Sequence, residues 1–364
     1  MRYMDEFQGE GAARVLASRI AAQCGRIGRR VRLMEVCGSH TVAIHRNGLR
    51  DLFPRNMKLV SGPGCPVCVT AADYVDSAIK LASQPGVIIT TFGDMLRVPG
   101  SWATLTERRA AGADVRVCYS PTDALQIAAD NPSKQVIFLG VGFETTIPAI
   151  AGSILESRRR EIGNFSVLSA FKTIPHTMRV LVADPSLMID GFICPAHVSA
   201  VIGANAYRFL AEEFKKPCVV AGFEPLDILY GVLGAVTQMA EGRSTVENQY
   251  DRVVKPGGNL RAQSVIAKVF QESSAVWRGI GEIPESGYAM RAEFAQYDAW
   301  KRFDASVPHR VENPGCRCGD VLRGAMEPPE CPLFGKVCTP DRPTGPCMVS
   351  TEGSCAAFYK YSRT

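Results

Sequence analysis

For about 200 residues the chain alternates short β-rich runs with helix-like stretches, and no single motif constrains the fold as much. The runs are "VRLMEVC", "MKLVSG", "VIITTFG", "VRVCYS", "VIFLGVGFE", "SVLSAFK", "GFICPAH" and "CVVAGFE". Between them lie stretches such as "AADYVDSAIKLAS", "PTDALQIAADN", "TIPAIAGSILESRRREI" and "SAVIGANAYRFLAEEFKK". Apolar strands separated by helices demand parallel sheets covered on both faces. One sheet of eight or more strands would be large, so two doubly wound α/β units are expected. A faint echo between "VIITTFGDMLRVPG" and "VIFLGVGFETTIPA" agrees with that division. The first 28 or so residues read as an amphipathic helix. Beyond Thr245, "VVKPGGNLRAQSVIAKVFQ" and "YAMRAEFAQYDAWKRF" read as helical, and from Pro308 the chain is rich in Gly, Pro and Cys with little periodicity.

Composition removes several function classes. The chain is 46% apolar and 21% charged with a formal charge of +5, which is ordinary for a globular protein. No basic run interleaved with aromatics supports nucleic-acid binding. There is no apolar leader and no run approaching the ~20 residues of a membrane span, so a cytoplasmic protein is expected. In a reducing compartment, 13 cysteines in 364 residues point to metal ligands or redox groups more than to structural bridges.

Their distribution sharpens this. Cys24, Cys118, Cys194 and Cys218 stand in apolar surroundings and read as small core residues. Cys316, Cys318, Cys331, Cys338, Cys347 and Cys355 crowd the tail, with a C-x-C and then 12, 6, 8 and 7 intervening residues. Zinc commonly takes paired hooks of two to four intervening residues, which the tail lacks. Wide spacing suits an iron–sulfur cubane, whose corners accept ligands from separate loops; a zinc site is the other reading. The two thiols of a C-x-C rarely bind one cluster, so one of Cys316 and Cys318 is expected to stand outside it. That leaves four ligands and two spare thiols.

The early cluster is "EVCGSHTVAIHRNG" and "SGPGCPVCVT", holding Cys37, His40, Cys65 and Cys68. A C-x-x-C carries dithiol–disulfide chemistry or binds a soft metal, and spacing alone does not choose. Adding Cys37 gives three sulfurs with an open position. His40 can cap a turn or ligate, and His45 reads as a surface or turn residue. Asp94 in "FGDMLRVPG", Glu144 in "GVGFETT", His197 in "CPAHVS" and Glu224 in "GFEPLD" also follow predicted strands, where open α/β sheets gather ligands. The acids can position a ligand, move a proton or cap a helix. His176 reads as structural.

These motifs, in this order and together with "CRCGDVLRG", "CPLFGKVCTP" and "GPCMVSTEGSCAAFY", strongly resemble the HypD family from about Leu33 to Tyr361. The resemblance implies a maturation factor of [NiFe]-hydrogenase. With the small chaperone HypC it would form the scaffold on which iron acquires two cyanides and a carbon monoxide. HypE would donate cyanide made from carbamoyl phosphate by HypF, and the Fe(CN)₂CO unit would pass, via HypC, to the hydrogenase large subunit. It implies Cys37, Cys65 and Cys68 as iron-site and thiol-redox residues, with His40, Asp94 and His197 around them. It implies a [4Fe–4S] cluster on Cys316, Cys331, Cys338 and Cys355, beside a redox pair Cys318/Cys347 similar to that of ferredoxin–thioredoxin reductase. A free-standing thiol–disulfide oxidoreductase of that kind is the alternative. The expected division is an α/β domain over residues 30–130, a second over 131–245, and a cluster domain of 246–364 joined by the N-terminal helix 1–29.

Overall fold

Residues with branched apolar side chains fill the central parallel strands, which bury both faces. In the computed structural model, which describes residues 9–308 and 313–362, eleven strands form three sheets among those residues. Strands β1 (Val31–Glu35), β2 (Met57–Ser61), β7 (Gly191–Pro195), β8 (Cys218–Ala221) and β9 (Val246–Asn248) make a parallel sheet in the order β2-β1-β7-β8-β9. Strands β3 (Val87–Thr91), β4 (Asp114–Val117), β5 (Gln135–Gly142) and β6 (Phe165–Phe171) make a second parallel sheet in the order β4-β3-β5-β6. All eight expected strands form, as two doubly wound sheets.

Alternation of side chains gives each sheet two cores. Ile88, Val136 and Phe138 point into one, and Ile89, Ile137 and Leu139 into the other. Leu33, Leu59 and Val219 are fully or almost fully buried on one face of the five-stranded sheet, while Met34, Val60 and Val220 are buried on the opposite face.

Sheet membership corrects the expected boundaries. A cut at residue 130 falls between β4 and β5, which flank β3 in one sheet. The four-stranded unit is instead inserted into the five-stranded one, entered after β2 and left before β7. The N-terminal helix α1 (Glu10–Ile27) does not join the tail. Its Leu16, Ile20 and Cys24 pack with Leu226, Leu229 and Val232 over the five-stranded sheet. Residues 1–8 of the expected helix lie outside the described residues.

A second correction concerns "YAMRAEFAQYDAWKRF". Its first residues belong to β11 (Gly281–Met290), paired antiparallel with β10 (Phe270–Trp277), and only short helical turns follow. This hairpin holds the early cysteine loop: Arg278 N–H donates to Val69 O at 2.9 Å, and Thr70 bridges to Trp277. The tail gains its core by sharing one. Cys318, Val321, Leu322, Cys347 and Met348 pack in the same cluster as Cys65, Cys68 and Val69. Cys24, Cys118, Cys194 and Cys218 are buried free thiols, as their apolar neighbourhoods imply.

Candidate functional site

In the five-stranded sheet the connections from β1 and β7 leave in opposite directions, which opens a crevice at the carboxyl ends of those two strands. Cys37 stands there as the residue preceding helix α2 (Gly38–Arg46), and His197 follows β7. The Ser61–Thr70 loop leaves the neighbouring strand β2. Two hydrogen bonds bind that loop to the Cys37 turn: Gly62 N–H to Glu35 O at 2.7 Å, and Gly38 N–H to Gly64 O at 2.9 Å. A Cβ on Gly64 would overlap the backbone nitrogen and Cα of Cys37, so only glycine permits this approach.

Cys65 and Cys68 are joined by a disulfide, with Cα atoms 5.2 Å apart, and both are buried. Because the two sulfurs are bonded to each other, opening them as ligands requires two electrons and two protons. Among the described residues, no three His, Cys, Asp or Glu side chains converge on a single ion position. Burial, then the negative charge of Glu352, pushes the Cys37 thiol up to about 12. Glu352 accepts from Ser39 Oγ at 2.8 Å, which ties the tail to the start of α2.

Glu35 escaped the sequence reading. It is 1% exposed, accepts from Cys37 N–H at 3.0 Å and from Thr41 Oγ at 2.5 Å, and burial pushes its carboxyl up to about 8. An acid at the end of a β-rich run, two residues before a cysteine, was the available signal.

His40 is fully buried, and its Nε2–H donates to Gly222 O at 2.8 Å and Ala221 O at 3.2 Å. Its hydrogen is therefore already engaged, and its Nδ1 has no partner. Phe223 separates it from exposed His197, with ring centroids at 4.8 and 4.1 Å. Burial lowers His40 from 6.5 to about 4. Between those values the unfolded chain binds a proton that the folded chain refuses, so stability falls as pH drops through the window. Relative to His40→Gln, the parent should lose about 2 kcal/mol between pH 7 and pH 5, read from denaturant melts.

Asp94 lies at the carboxyl end of the four-stranded sheet and accepts from Ser350 Oγ at 3.0 Å and Thr351 N–H at 3.3 Å. Arg97 donates to Val349 O at 3.0 Å. The segment 349–352 therefore clamps both sheets. His45 corrects the surface expectation: it is buried, bonded to Ser362 Oγ at 2.7 Å and packed on Phe358, so it anchors the C-terminal helix Ser354–Tyr361. Glu144 accepts from Ile174 N–H at 2.9 Å, and His176 pairs with Thr173; neither shows a contact with the thiols.

All six tail cysteines line one small cavity. Cys318 Sγ and Cys347 Sγ are 2.8 Å apart, and Cys68 Sγ lies 3.9 Å from the carbonyl oxygen of Pro346, next to Cys347. Hydrogen bonds from Cys316 and Cys347, and the nearby Arg278 charge, hold Cys318 well below an ordinary thiol, while Cys347 is pushed up. Arg278, 5% exposed, was also missed; a lone Arg in "VWRGIG" carries no local signal.

The family model HypD, "Hydrogenase formation hypA family", matches residues 11–362. The chain belongs to the HypD family. It is 48% identical over 370 residues to "Hydrogenase maturation factor HypD" of Azotobacter vinelandii, covering 100% of this chain and 97% of that one. It is 45% identical to that of Rhodobacter capsulatus and 44% identical to that of Escherichia coli K12, each comparison covering 99% of this chain and 98% of the relative. In this HypD-family chain, Cys37 and the Cys65–Cys68 loop meet at the β1–β7 crevice, with His40 and His197 near them. The tail thiols gather behind the same loop, and Asp94 docks the tail rather than touching a thiol. Among the described residues no helix is long and apolar enough to cross a membrane.

Proposed function

We propose that this hydrogenase maturation factor is the scaffold that, with a HypC-type chaperone, holds iron while it acquires two cyanides and one carbon monoxide. The observation that carries the reading is the packing of tail thiols directly behind the Cys65–Cys68 loop, through Cys68 and Pro346. Iron is the cargo. Cys37, with Cys65 and Cys68 once reduced, supplies soft thiolates for it, and a chaperone cysteine completes its coordination. A HypE-type protein donates cyanide, and the finished unit leaves with the chaperone for the hydrogenase large subunit. A groove of about 1370 Å³ flanks α2 beside Ser39 and Glu352, giving a partner access to this end of the molecule.

The tail donor set fits a [4Fe–4S] cluster. With Cys318 and Cys347 against each other, Cys316, Cys331, Cys338 and Cys355 remain around the shared cavity to hold it. Such a cluster supplies single electrons. The chain's own thiols do the rest by exchange. One thiolate of the tail dithiol attacks a sulfur of the Cys65–Cys68 bond, forming a mixed disulfide and releasing the other sulfur as thiolate. The second tail thiol resolves it. The products are a Cys65/Cys68 dithiol and a Cys318–Cys347 disulfide, which two electrons and two protons from an external low-potential donor restore.

The test is Cys318→Ser purified without oxygen. Iron and acid-labile sulfide should match the parent, Cys65–Cys68 should stay oxidised under a low-potential donor by alkylation and mass spectrometry, and hydrogenase maturation should fail. Loss of iron and sulfide would make Cys318 a ligand. Zinc without sulfide would overturn the cluster, and turnover of a generic disulfide without bound cargo iron would favour the free-standing oxidoreductase.

A further inference from the structure

A second pocket lies at the carboxyl end of the four-stranded sheet, against the β10–β11 hairpin. Lys172 follows β6 directly, so it stands at the carboxyl end of a parallel strand, where such sheets collect ligands. It is only 4% exposed; its backbone N–H donates to Gly142 O at 3.1 Å, while among the described residues its ammonium meets only Ala170 O, at 3.4 Å. It lines a pocket of about 250 Å³ between this sheet end and the β10–β11 hairpin. The other charged lining residue, Asp73, has an interaction of its own.

Aromatic rings and small side chains, alanines and serines, make up the remaining walls. The donors of Trp300 and Tyr74 are engaged by backbone carbonyls, Ser169 O at 3.0 Å and Leu168 O at 2.7 Å, which leaves their rings as the surface they offer. Tyr288 forms part of the hairpin wall. A buried ammonium with one long contact is costly unless an anion meets it. Burial accordingly pushes Lys172 down to about 8. The volume is below that of a drug-sized site and admits only a small molecule.

We propose that this pocket binds a small organic carboxylate, its charge paired with the Lys172 ammonium and its carbon skeleton against Trp300, Tyr74 and Tyr288. Nothing in the scaffold chemistry at Cys37 requires this site, and its wall includes Ala71, just past the Cys65–Cys68 loop. Occupancy would stiffen the hairpin that grips Val69 and Thr70.

The experiment uses the full chain, with sodium phenylacetate as probe and phenylacetamide as its uncharged counterpart, followed by calorimetry. Phenylacetate should bind saturably with a dissociation constant of about 1 mM or tighter, and the amide about tenfold more weakly or worse. Lys172→Met should lower phenylacetate affinity at least about tenfold, with circular dichroism reporting its fold. Ser274 sits exposed at the pocket mouth, so Ser274→Phe should block binding without touching the core, which keeps the test decisive should Lys172→Met unfold. Absence of saturation by about 10 mM, equal binding of acid and amide, or unchanged affinity in folded Lys172→Met or Ser274→Phe would each overturn the proposal.

Discussion

On the proposed scaffold reading, Cys37→Ala should remove the cyanide and carbonyl stretching bands from the infrared spectrum of the protein purified with a HypC-type chaperone, while leaving the iron and sulfide proposed for the tail at the parental level. Burial and Glu352 hold the Cys37 thiol near 12, so at neutral pH it is protonated and a poor nucleophile by itself. A metal cation reverses that balance, because its charge drives off the proton and replaces the lost solvation. The same enclosure that disfavours a free thiolate thus favours a metal thiolate over exchange with stray disulfides. Cys37 is the only one of the three early sulfurs not committed to a disulfide, which makes its loss the most severe. The glutamate at position 35 fixes the Cys37 backbone through the 3.0 Å bond to its N–H, so the substitution should leave the turn and its melting behaviour close to the parent. Bands of parental intensity in Cys37→Ala would remove this residue from the iron site.

Gly64→Ala is expected to be the most damaging substitution outside the cysteines. The added methyl would occupy the space of the Cys37 backbone, and two backbones held by the Gly38–Gly64 and Gly62–Glu35 hydrogen bonds cannot part without breaking those bonds. Overpacking in a well-packed region costs about 1–3 kcal/mol, and clash with main chain rather than a flexible side chain belongs at the upper end. Thermal melts should drop by several degrees, and maturation should fall even at temperatures where the protein stays folded, because the two cysteine turns are forced apart. Gly152→Ala is the matched control. Gly152 lies inside the helix Ile147–Arg159 with nothing within 4 Å of a new Cβ, so it should be neutral or gain up to about 1 kcal/mol in helix propensity. Equal effects at the two positions would show that the close approach at Gly64 does not govern the site.

Eight of the nine parallel strands were legible because each is a short β-rich run bounded by turn residues; the ninth, β9, is three half-buried residues paired only with β8. The β10–β11 hairpin was not legible either. "FQESSAVW" leaves most of its residues exposed or half-exposed, so its apolar content is too low to mark a strand, and pairing with a partner decides its conformation. Local pattern also cannot say which strands share a sheet. Pairing of β1 with β7 joins residues about 160 positions apart, a tertiary preference invisible in either segment. Of the site, the cysteines and His40 were conspicuous by type. Glu35 and Arg278 became visible only in space, since what distinguishes them is burial beside a thiol loop. Asp94 was picked out for chemistry but is explained by its bonds to Ser350 and Thr351.

The clamp between Ser39 and Glu352 spans 313 residues of sequence. At roughly 5–20 residues added per second, a ribosome needs on the order of tens of seconds to make the second half of that contact after the first has emerged. Throughout that interval the Cys37 turn and the Cys65–Cys68 loop have left the tunnel without the segment that covers them. A nascent chain therefore exposes bare thiols to oxidants and adventitious metals, and the factor becomes competent only once its final helix is released. Truncations that remove Glu352 and the helix Ser354–Tyr361 should accordingly behave like the unfinished polypeptide.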